Sequence, residues 1–167
     1  MQKGAFYLFF GEENPLSNWH RSTFVVRGRT FHWNEQFLMY CKAMLFGDLK
    51  TAEKILAAQS PRECKSLGRD VQPYVDKVWA EKREYYDYFG ALHKFQQNPS
   101  MAQFLLNTGD LELVEASPYD RIYGVGLDAH SPSIIHKRLW RGINIHGRAT
   151  QRVRDELAIS GAPYGQI

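Results

Sequence analysis

In the segment from Asn34 to Ala43, a carboxylate and an amine stand seven residues apart. Seven residues are close to two turns of an α-helix, so Glu35, Met39 and Lys42 are predicted to project from one helical face. Two interpretations fit this spacing. The pair belongs to a functional site, or Glu35 is a first-turn acid favoured by the helix dipole and Lys42 is an ordinary surface lysine.

A second acidic group follows later in the chain, where Glu115 and Asp120 flank a turn that contains Pro118. Carboxyl groups can donate a proton, accept one, or stabilise a developing positive charge. A lysine amine with a depressed pKa can instead act as a nucleophile and form a Schiff base with a carbonyl carbon. The sequence therefore predicts Glu35, Glu115 and Asp120 as acid–base candidates. For Lys42 it leaves open a nucleophilic role or an ion pair with Glu35.

The composition favours one globular domain that spans residues 1–167. The chain is 44% hydrophobic and 14% aromatic, which is enough for a packed core. Its two cysteines, Cys41 and Cys64, lack the spacing of a metal site, and we expect reduced structural thiols, no metal and no cofactor. No apolar run approaches about 20 residues and the N-terminus lacks a signal-peptide core, so we expect a cytoplasmic protein with no membrane segment.

Basic residues are concentrated near the C-terminus, although the formal net charge is only +3. This concentration predicts a positive surface that could bind a phosphate-bearing ligand, with a solvated basic helix face as the alternative. The residues are Lys137, Arg138, Arg141, Arg148, Arg152 and Arg154.

Capping signals define the helices around the first candidate pair. Asn34 is predicted to cap the helix that carries Glu35, and Gly47 to end it. Asp48 is predicted to cap a second helix that runs to about Ala58. The segment 60–63 (Ser-Pro-Arg-Glu) is a capping box for a third helix, which is predicted to end at Gly68, directly before Arg69.

The remaining pattern predicts an α+β, mainly helical fold with a small β-sheet. A long helix from about Tyr74 to Gln97 is weakened locally by Gly90, and the last amphipathic helix is predicted to begin at Arg148. Other predicted elements are a strand at 6–10, a hairpin at 24–31 that turns at Arg27-Gly28, a helix at 99–106 and a strand at 111–115.

A series of spaced motifs resembles the NADAR superfamily across nearly the whole chain. A series in the right order is more specific than any single motif. The motifs are Phe9-Phe10, Pro15–Trp19, Glu35-Gln36, Lys42-Ala43, Leu67–Arg69, Lys94-Phe95, Val114–Ser117, Asp120–Gly124 and Gly142–Asn144.

The resemblance implies a single compact NADAR-like domain with N-glycosidase activity. Members resemble the enzyme that cleaves phosphoribosylamino-pyrimidine intermediates of riboflavin biosynthesis, and others remove ADP-ribose from guanine. Both substrates contain a ribosyl C1–N bond and phosphate. Cleavage of that bond requires an anionic stabiliser or nucleophile and a proton donor, for which the catalytic candidates are Glu35, Lys42, Glu115 and Asp120.

Binding candidates follow from side-chain chemistry. Arg69 has the fork geometry that suits a phosphate, with a surface salt bridge as the alternative. Asn18 and Asn144 suit ribose hydroxyls or a base edge, while Trp19 and Tyr123 could enclose a flat base.

Two departures from the family pattern affect this transfer. Tyr123 stands where Trp is common, and it keeps a stacking face while adding a hydroxyl. His146 falls in the closing segment, which usually reads Asn-hydrophobic-Leu-Gly, and a hydrogen-bonded structural histidine is favoured over a phosphate donor or a titrating group.

Two other classes of function fit part of the pattern. A noncatalytic ADP-ribose or nucleotide-binding module would keep Arg69 and Asn18 but would not need Glu35 beside Lys42. A nucleic-acid-binding protein, or an enzyme that acts on ADP-ribosylated DNA or RNA, would use Arg138, Arg141 and their basic neighbours. The sequence leaves the oligomeric state open.

Overall fold

The computed structural model describes residues 1–160. Six α-helices make up most of the fold: α1 Asn34–Leu45, α2 Leu49–Ala57, α3 Pro61–Arg69, α4 Asp76–Gln96, α5 Pro99–Leu106 and α6 Ile145–Ser160. The strands are β1 Gln2–Lys3, β2 Phe6–Phe9, β3 Phe24–Val26, β4 Arg29–Phe31 and β5 Glu112–Glu115. The mainly helical α+β fold with a small sheet is therefore confirmed.

The main sheet has three strands in the order β1-β2-β5. β2 runs antiparallel to β1 and parallel to β5, with Phe9 opposite Glu115. Parallel strands end at the same edge of a sheet. The loop after β2 and the turn after β5 therefore leave the sheet side by side, and helix α6 packs against β5.

A separate hairpin of β3 and β4 packs on α1 and α4 through an aromatic cluster. The rings of Phe24, Phe31 and Phe37 lie 5.1–6.2 Å apart, centroid to centroid. The turn residues Arg27 and Gly28 have φ values of 48° and 75°. Two residues with positive φ form the tight turn whose twist suits a hairpin, so the predicted turn is confirmed.

Two of the predicted helix caps are present. The Asp48 carboxylate accepts a hydrogen bond from the Thr51 amide at 3.0 Å. The Ser60 hydroxyl accepts one from the Glu63 amide at 3.1 Å. Gly47, with φ of 74°, follows the end of α1 as predicted.

Three predicted boundaries are wrong. Trp33, not Asn34, precedes α1 as its N-cap, because the Asn34 side chain is buried and bonds to Asn18 and Asp87. Helix α3 continues through Gly68 to Arg69, since the glycine allows close packing against Met39 rather than ending the helix. Helix α6 begins at Ile145, three residues before Arg148, where Asn144 adopts a left-handed φ of 53°.

Gly90 allows α4 to approach α1 closely. The helix continues through this residue instead of weakening there, and a Cβ at Gly90 would collide with Asn34 Oδ1 and with the Phe37 ring. The glycine thus has a packing role that outweighs its poor helix propensity.

Gly90→Ala should destabilise the fold although alanine is the better helix former. We expect the overpacked contact to lower the free energy of unfolding by about 1–3 kcal/mol, measured by urea denaturation. Lys82→Ala, at an exposed position of the same helix, is the control and should change stability by less than about 0.5 kcal/mol. A Gly90→Ala variant as stable as the wild type would contradict this packing role.

Candidate active site

Two neighbouring cavities lie beside the carboxyl ends of β2 and β5. The Glu115 cavity, of about 230 Å³, is lined by Trp19, Glu115 and Tyr119 among others. The Glu35 cavity, of about 200 Å³, is lined by Glu35 and Lys42 among others. Because both are lined by Lys65, Arg69 and Asp120, we call them together the double cavity.

An ion pair between Lys65 and Asp120 lies where the two cavities meet. Lys65 Nζ is 2.9 Å from Asp120 Oδ2, while Asp120 Oδ1 accepts hydrogen bonds from the Ile122 and Tyr123 amides at 2.9 and 2.8 Å. Burial alone would raise the pKa of Asp120, but Lys65 and the two amides bring it below its ordinary value. Asp120 is therefore an anion at neutral pH.

Glu35 is buried at the start of α1 and is held by Trp19. The indole Nε1–H donates to Glu35 Oε2 at 3.1 Å, and only 5% of the residue is exposed. Burial raises the pKa of Glu35 to about 7, an effect that Lys65 and the indole hydrogen bond oppose. Both protonation states are thus accessible near neutral pH.

Glu115 ends β5, is half-buried, and lines the Glu115 cavity with a second carboxyl group. Its Oε2 atom is buried without a hydrogen-bond partner. Burial raises the pKa of Glu115 to about 7, against the opposing charge of His146. A protonated Glu115 would place an unpartnered O–H group at the cavity, which is the condition a general acid needs.

Lys42 lines the Glu35 cavity as the helical spacing predicts, but it does not form an ion pair with Glu35. Its amine donates to the Gly68 carbonyl at 2.6 Å and lies 4.3 Å from the centroid of the Tyr74 ring. Burial lowers the pKa of Lys42, with Asp76 opposing. A lowered pKa increases the fraction of neutral, nucleophilic amine.

Two guanidinium groups at the Glu35 cavity have no acidic partner. Neither Arg69 nor Arg83 forms a salt bridge or a side-chain hydrogen bond with any described residue, and Arg83 Nε is buried. The Tyr123 hydroxyl, on the same cavity, is also buried without a partner. The surface salt bridge considered for Arg69 is therefore not formed within residues 1–160.

A buried network behind the cavity fixes the position of these groups. Asp87 Oδ1 accepts hydrogen bonds from the side-chain amides of Asn18 and Asn34 at 3.0 and 3.1 Å, and Asp87 Oδ2 lies 3.0 Å from His146 Nδ1. The other ring nitrogen of His146 lies 2.8 Å from the Leu16 carbonyl. Both ring nitrogens face acceptors, which only a doubly protonated imidazole can satisfy.

The groups around His146 favour the protonated, positively charged form of its ring. Burial alone would lower the pKa of His146, but the Asp87 carboxylate and the other acceptors raise it to about 8. The structural histidine favoured from the sequence is what the structure contains, since this ring is buried and bonds to internal groups.

Neither candidate asparagine lines the double cavity. Both ends of the Asn18 side-chain amide bond to internal groups, and the Asn18 backbone carbonyl accepts a hydrogen bond from the Glu35 amide at 3.1 Å. Asn144 Oδ1 accepts from the Glu115 amide at 3.0 Å, and Asn144 Nδ2 donates to the Leu113 carbonyl at 2.9 Å. Each asparagine thus holds the backbone at one of the two carboxyl groups.

Three residues of the site, Lys65, Arg83 and Asp87, were not among those predicted from the sequence. Lys65 and Arg69 are four residues apart on α3, which places them on one helical face and could have indicated a shared role. Position 87 lies on the apolar face of its helix. An acidic residue on that face was the sequence feature that could have identified Asp87. Nothing in the sequence distinguishes Arg83 from the other charged residues of α4.

The predicted positive surface near the C-terminus is largely neutralised. Four of its six basic residues have acidic partners. Two partners are distant in sequence, in the pairs Lys137–Glu112 and Arg148–Glu84, and two are local, in the pairs Arg152–Glu156 and Arg154–Asp155. The prediction of a strongly positive surface is wrong on this point.

Residues 1–160 contain no group of three His, Cys, Asp or Glu side chains placed to hold a metal ion. No described helix is long and apolar enough to cross a membrane.

Comparisons with known proteins agree with the motif series. A family model described as the NADAR domain matches residues 6–158. The chain is 37% identical over 122 residues to the N-glycosidase R617 of Acanthamoeba polyphaga mimivirus, covering 73% of this chain and 72% of that protein. It is 32% identical over 163 residues to the riboflavin biosynthesis protein VVA0006 of Vibrio vulnificus, covering 96% of this chain and 40% of that one.

A solved structure shares the fold. The NMR structure of the E. coli protein YbiA matches with a TM-score of 0.78 at 24% identity, covering 99% of this chain and 92% of YbiA. The α+β fold of this chain therefore also occurs in a solved structure. The family resemblance inferred from the motifs is confirmed.

The raised pKa of Glu115 predicts that this side chain costs stability. Its pKa is about 7 in the folded state against an ordinary 4.5, so between those pH values the unfolded chain ionises first and stability falls as pH rises. Glu115→Gln removes this titration. Its free energy of unfolding, relative to the wild type, should rise by about 3 kcal/mol between pH 4.5 and pH 8.

Urea denaturation across this pH range measures the difference. Glu81→Gln, at an exposed position of α4, is the control and should show a flat difference. A flat difference for Glu115→Gln as well would mean that the carboxyl group titrates normally in the folded state.

Proposed function

We propose a substrate class and a division of roles for this enzyme from the premise that the chain belongs to the NADAR domain family and has its N-glycosidase type of activity. The reaction is hydrolysis of a ribosyl C1–N bond in a phosphate-bearing substrate. The observation that carries the proposal is the double cavity itself. It combines two buried carboxyl groups of pKa about 7 with two guanidinium groups that lack acidic partners.

Glu115 acts as the general acid and Glu35 as the anionic stabiliser. When the C1–N bond breaks, its electron pair goes to the nitrogen of the base, and that nitrogen takes the proton of Glu115. Positive charge that develops at C1 is stabilised by Glu35, whose ionised form the Trp19 indole and Lys65 favour. Water supplies the hydroxyl at C1, and its remaining proton restores Glu115.

Lys42 provides a covalent route within the Glu35 cavity. Its neutral amine forms a bond to C1 as the bond to the base breaks, and the sugar ring then opens to give a protonated imine. Water hydrolyses the imine, which releases the sugar and regenerates the amine. Burial lowers the pKa of Lys42, which supports this role. The hydrogen bond from the amine to the Gly68 carbonyl also supports it, because this bond holds the amine in place without pairing it with a carboxylate.

Arg69 and Arg83 hold the phosphate. Charge-assisted hydrogen bonds from a planar guanidinium suit phosphate oxygens, and two guanidinium groups that form no ion pair with the acids of the Glu35 cavity are available to bind an anion there. Asp120 keeps Lys65 in place between the cavities and orients the turn that carries Tyr123.

The flat base lies in the Glu115 cavity against Trp19, and the Tyr123 face lies on the sugar side. Asn18 and Asn144 act through the backbone of Glu35 and Glu115 rather than by contact with the substrate. This is a change from the binding roles that their side-chain chemistry predicted.

Two substrate classes satisfy this description. One is the phosphoribosylamino-pyrimidine intermediates of riboflavin biosynthesis, and the other is ADP-ribose attached to guanine, either free or within DNA or RNA. They share the ribosyl C1–N bond and the phosphate that the double cavity would recognise, and they differ in the base and in the number of phosphates.

Incubation with a member of each class tests the proposed activity. We expect the wild type to release free base together with ribose phosphate or ADP-ribose, detected by chromatography. Glu115→Gln should lower turnover by about 100-fold or more, because general acid help is lost. Glu81→Gln is the matched control. Release from neither substrate, or full activity of a folded Glu115→Gln variant, would contradict the proposal.

Replacing either unpaired arginine should weaken substrate binding more than turnover. Arg69→Ala or Arg83→Ala should raise KM by about 10- to 100-fold, the effect of a lost charge-assisted contact. The increase should be much smaller for a dephosphorylated substrate. Lys82→Ala, the exposed neighbour of Arg83, is the control, and equal losses on both substrates would indicate a structural role instead.

Borohydride should trap the intermediate on Lys42. Reduction converts an imine to a stable secondary amine, so peptide mass mapping should find the sugar adduct on this residue. Lys42→Arg keeps the charge but cannot form the imine, and it should lose both the adduct and most activity, whereas exposed Lys50→Arg should keep both. Substantial turnover by Lys42→Arg without any wild-type adduct would leave the chemistry to the carboxyl groups and water.

A further inference from the structure

A separate cavity of about 400 Å³ lies on the opposite face of α1. Glu35 and Lys42 line the double cavity, whereas Tyr40, Cys41 and Met44 line this second one. Their positions differ by about half a helical turn. The second cavity shares no lining residue with the double cavity, so the hydrolase site does not account for it.

Aromatic rings form much of its wall. Tyr85 and Phe89 are stacked at 5.9 Å with an interplanar angle of 25°, and Tyr40 lies 5.5 Å from Phe31. Tyr85 is 55% exposed, which leaves an aromatic surface open to solvent. Exposed aromatic faces bind flat ring systems by stacking. The ligand class that suits these walls is therefore a planar heterocycle.

The charge at the cavity is entirely basic. Arg27 and Arg29 line it, no acidic residue does, and neither arginine forms a salt bridge or side-chain hydrogen bond within residues 1–160. The guanidinium of Arg29 lies 5.9 Å from the centroid of the Tyr40 ring. Two free guanidinium groups beside aromatic walls suit a ligand that carries an anion on a flat ring system.

The backbone at Arg27 gives independent support. This residue occupies the left-handed region, with φ of 48°, in a hairpin turn where asparagine or glycine is strongly favoured. An arginine at such a position carries backbone strain, and strained residues are concentrated at functional sites. Its side chain lies at the edge of the second cavity.

We propose that the second cavity is a noncatalytic binding site for a nucleotide. The base would stack against Tyr85 and its aromatic neighbours, and the phosphate would bind Arg27 and Arg29. A free mononucleotide and a nucleotide unit of a single strand have this same chemistry. The cavity volume falls within the range of about 300–1,000 Å³ that is usual for small-molecule sites. This inference does not depend on the hydrolase activity.

Calorimetric titration with guanosine 5′-monophosphate and with guanosine tests the site. The wild type should bind the monophosphate at least about tenfold more tightly than guanosine, because only the former offers a phosphate to the arginines. Arg27→Ala and Arg29→Ala should remove most of that preference. Tyr85→Ala should weaken binding of both compounds by about tenfold, as expected for a lost stacking face.

Two controls make the result decisive. Arg138→Ala removes an exposed arginine that lines no cavity described above and should bind like the wild type. If Arg69→Ala abolishes binding of the monophosphate while Arg29→Ala does not, the nucleotide binds only in the double cavity and the proposal is wrong. Equal affinity for guanosine and its monophosphate would also overturn it.

A single-stranded oligonucleotide distinguishes the two sources of the ligand. Tighter, salt-sensitive binding that Arg29→Ala weakens would assign the second cavity to a strand. Binding of the monophosphate alone, with the same dependence on Arg29, would assign it to a free nucleotide. An oligonucleotide that binds tightly without dependence on Arg27 or Arg29, together with no binding of the monophosphate, would contradict the proposal.

Discussion

Asp87 accepts hydrogen bonds from three separate segments of the chain, and the arrangement of the candidate active site depends on it. Asn18 lies in the loop after β2, Asn34 begins α1, and His146 is in the first turn of α6. An isolated buried carboxylate would be costly, but here a positive imidazole and two amides compensate for the lost solvation. Because the contacts join segments far apart in sequence, they can form only together.

The network determines where the two candidate active-site carboxyl groups lie and how fully they are buried. Asn18 fixes the amide of Glu35, and Asn144, directly before α6, fixes the amide of Glu115. Hydrogen bonds and opposite charges do not fully compensate these two carboxyl groups for their lost solvation. Their pKa values are therefore raised, and the fold loses stability at neutral pH. The fold accepts this cost at the two positions that we propose supply the proton donor and the anion for cleavage of the C1–N bond.

Local chemistry was predictable from the sequence, and long-range contacts were not. Asp48 and Ser60 cap helices as predicted because a cap involves residues only three positions apart, and Glu35 and Lys42 share a face because helical geometry requires it. Asn34 looked like another cap, yet its side chain bonds to Asp87, 53 residues away. The same limit explains why Lys65 was missed, since its partner Asp120 is 55 residues distant.

The account rests on two carboxyl groups that titrate near neutral pH because burial raises their pKa. Carbon-13 NMR of the glutamate side-chain carboxyl groups measures this directly, with Glu35→Gln and Glu115→Gln used to assign the two signals. Both groups are expected to titrate near pH 7, well above the ordinary range of a glutamate carboxyl group. Titration of Glu35 and Glu115 within that ordinary range would contradict the proposed roles.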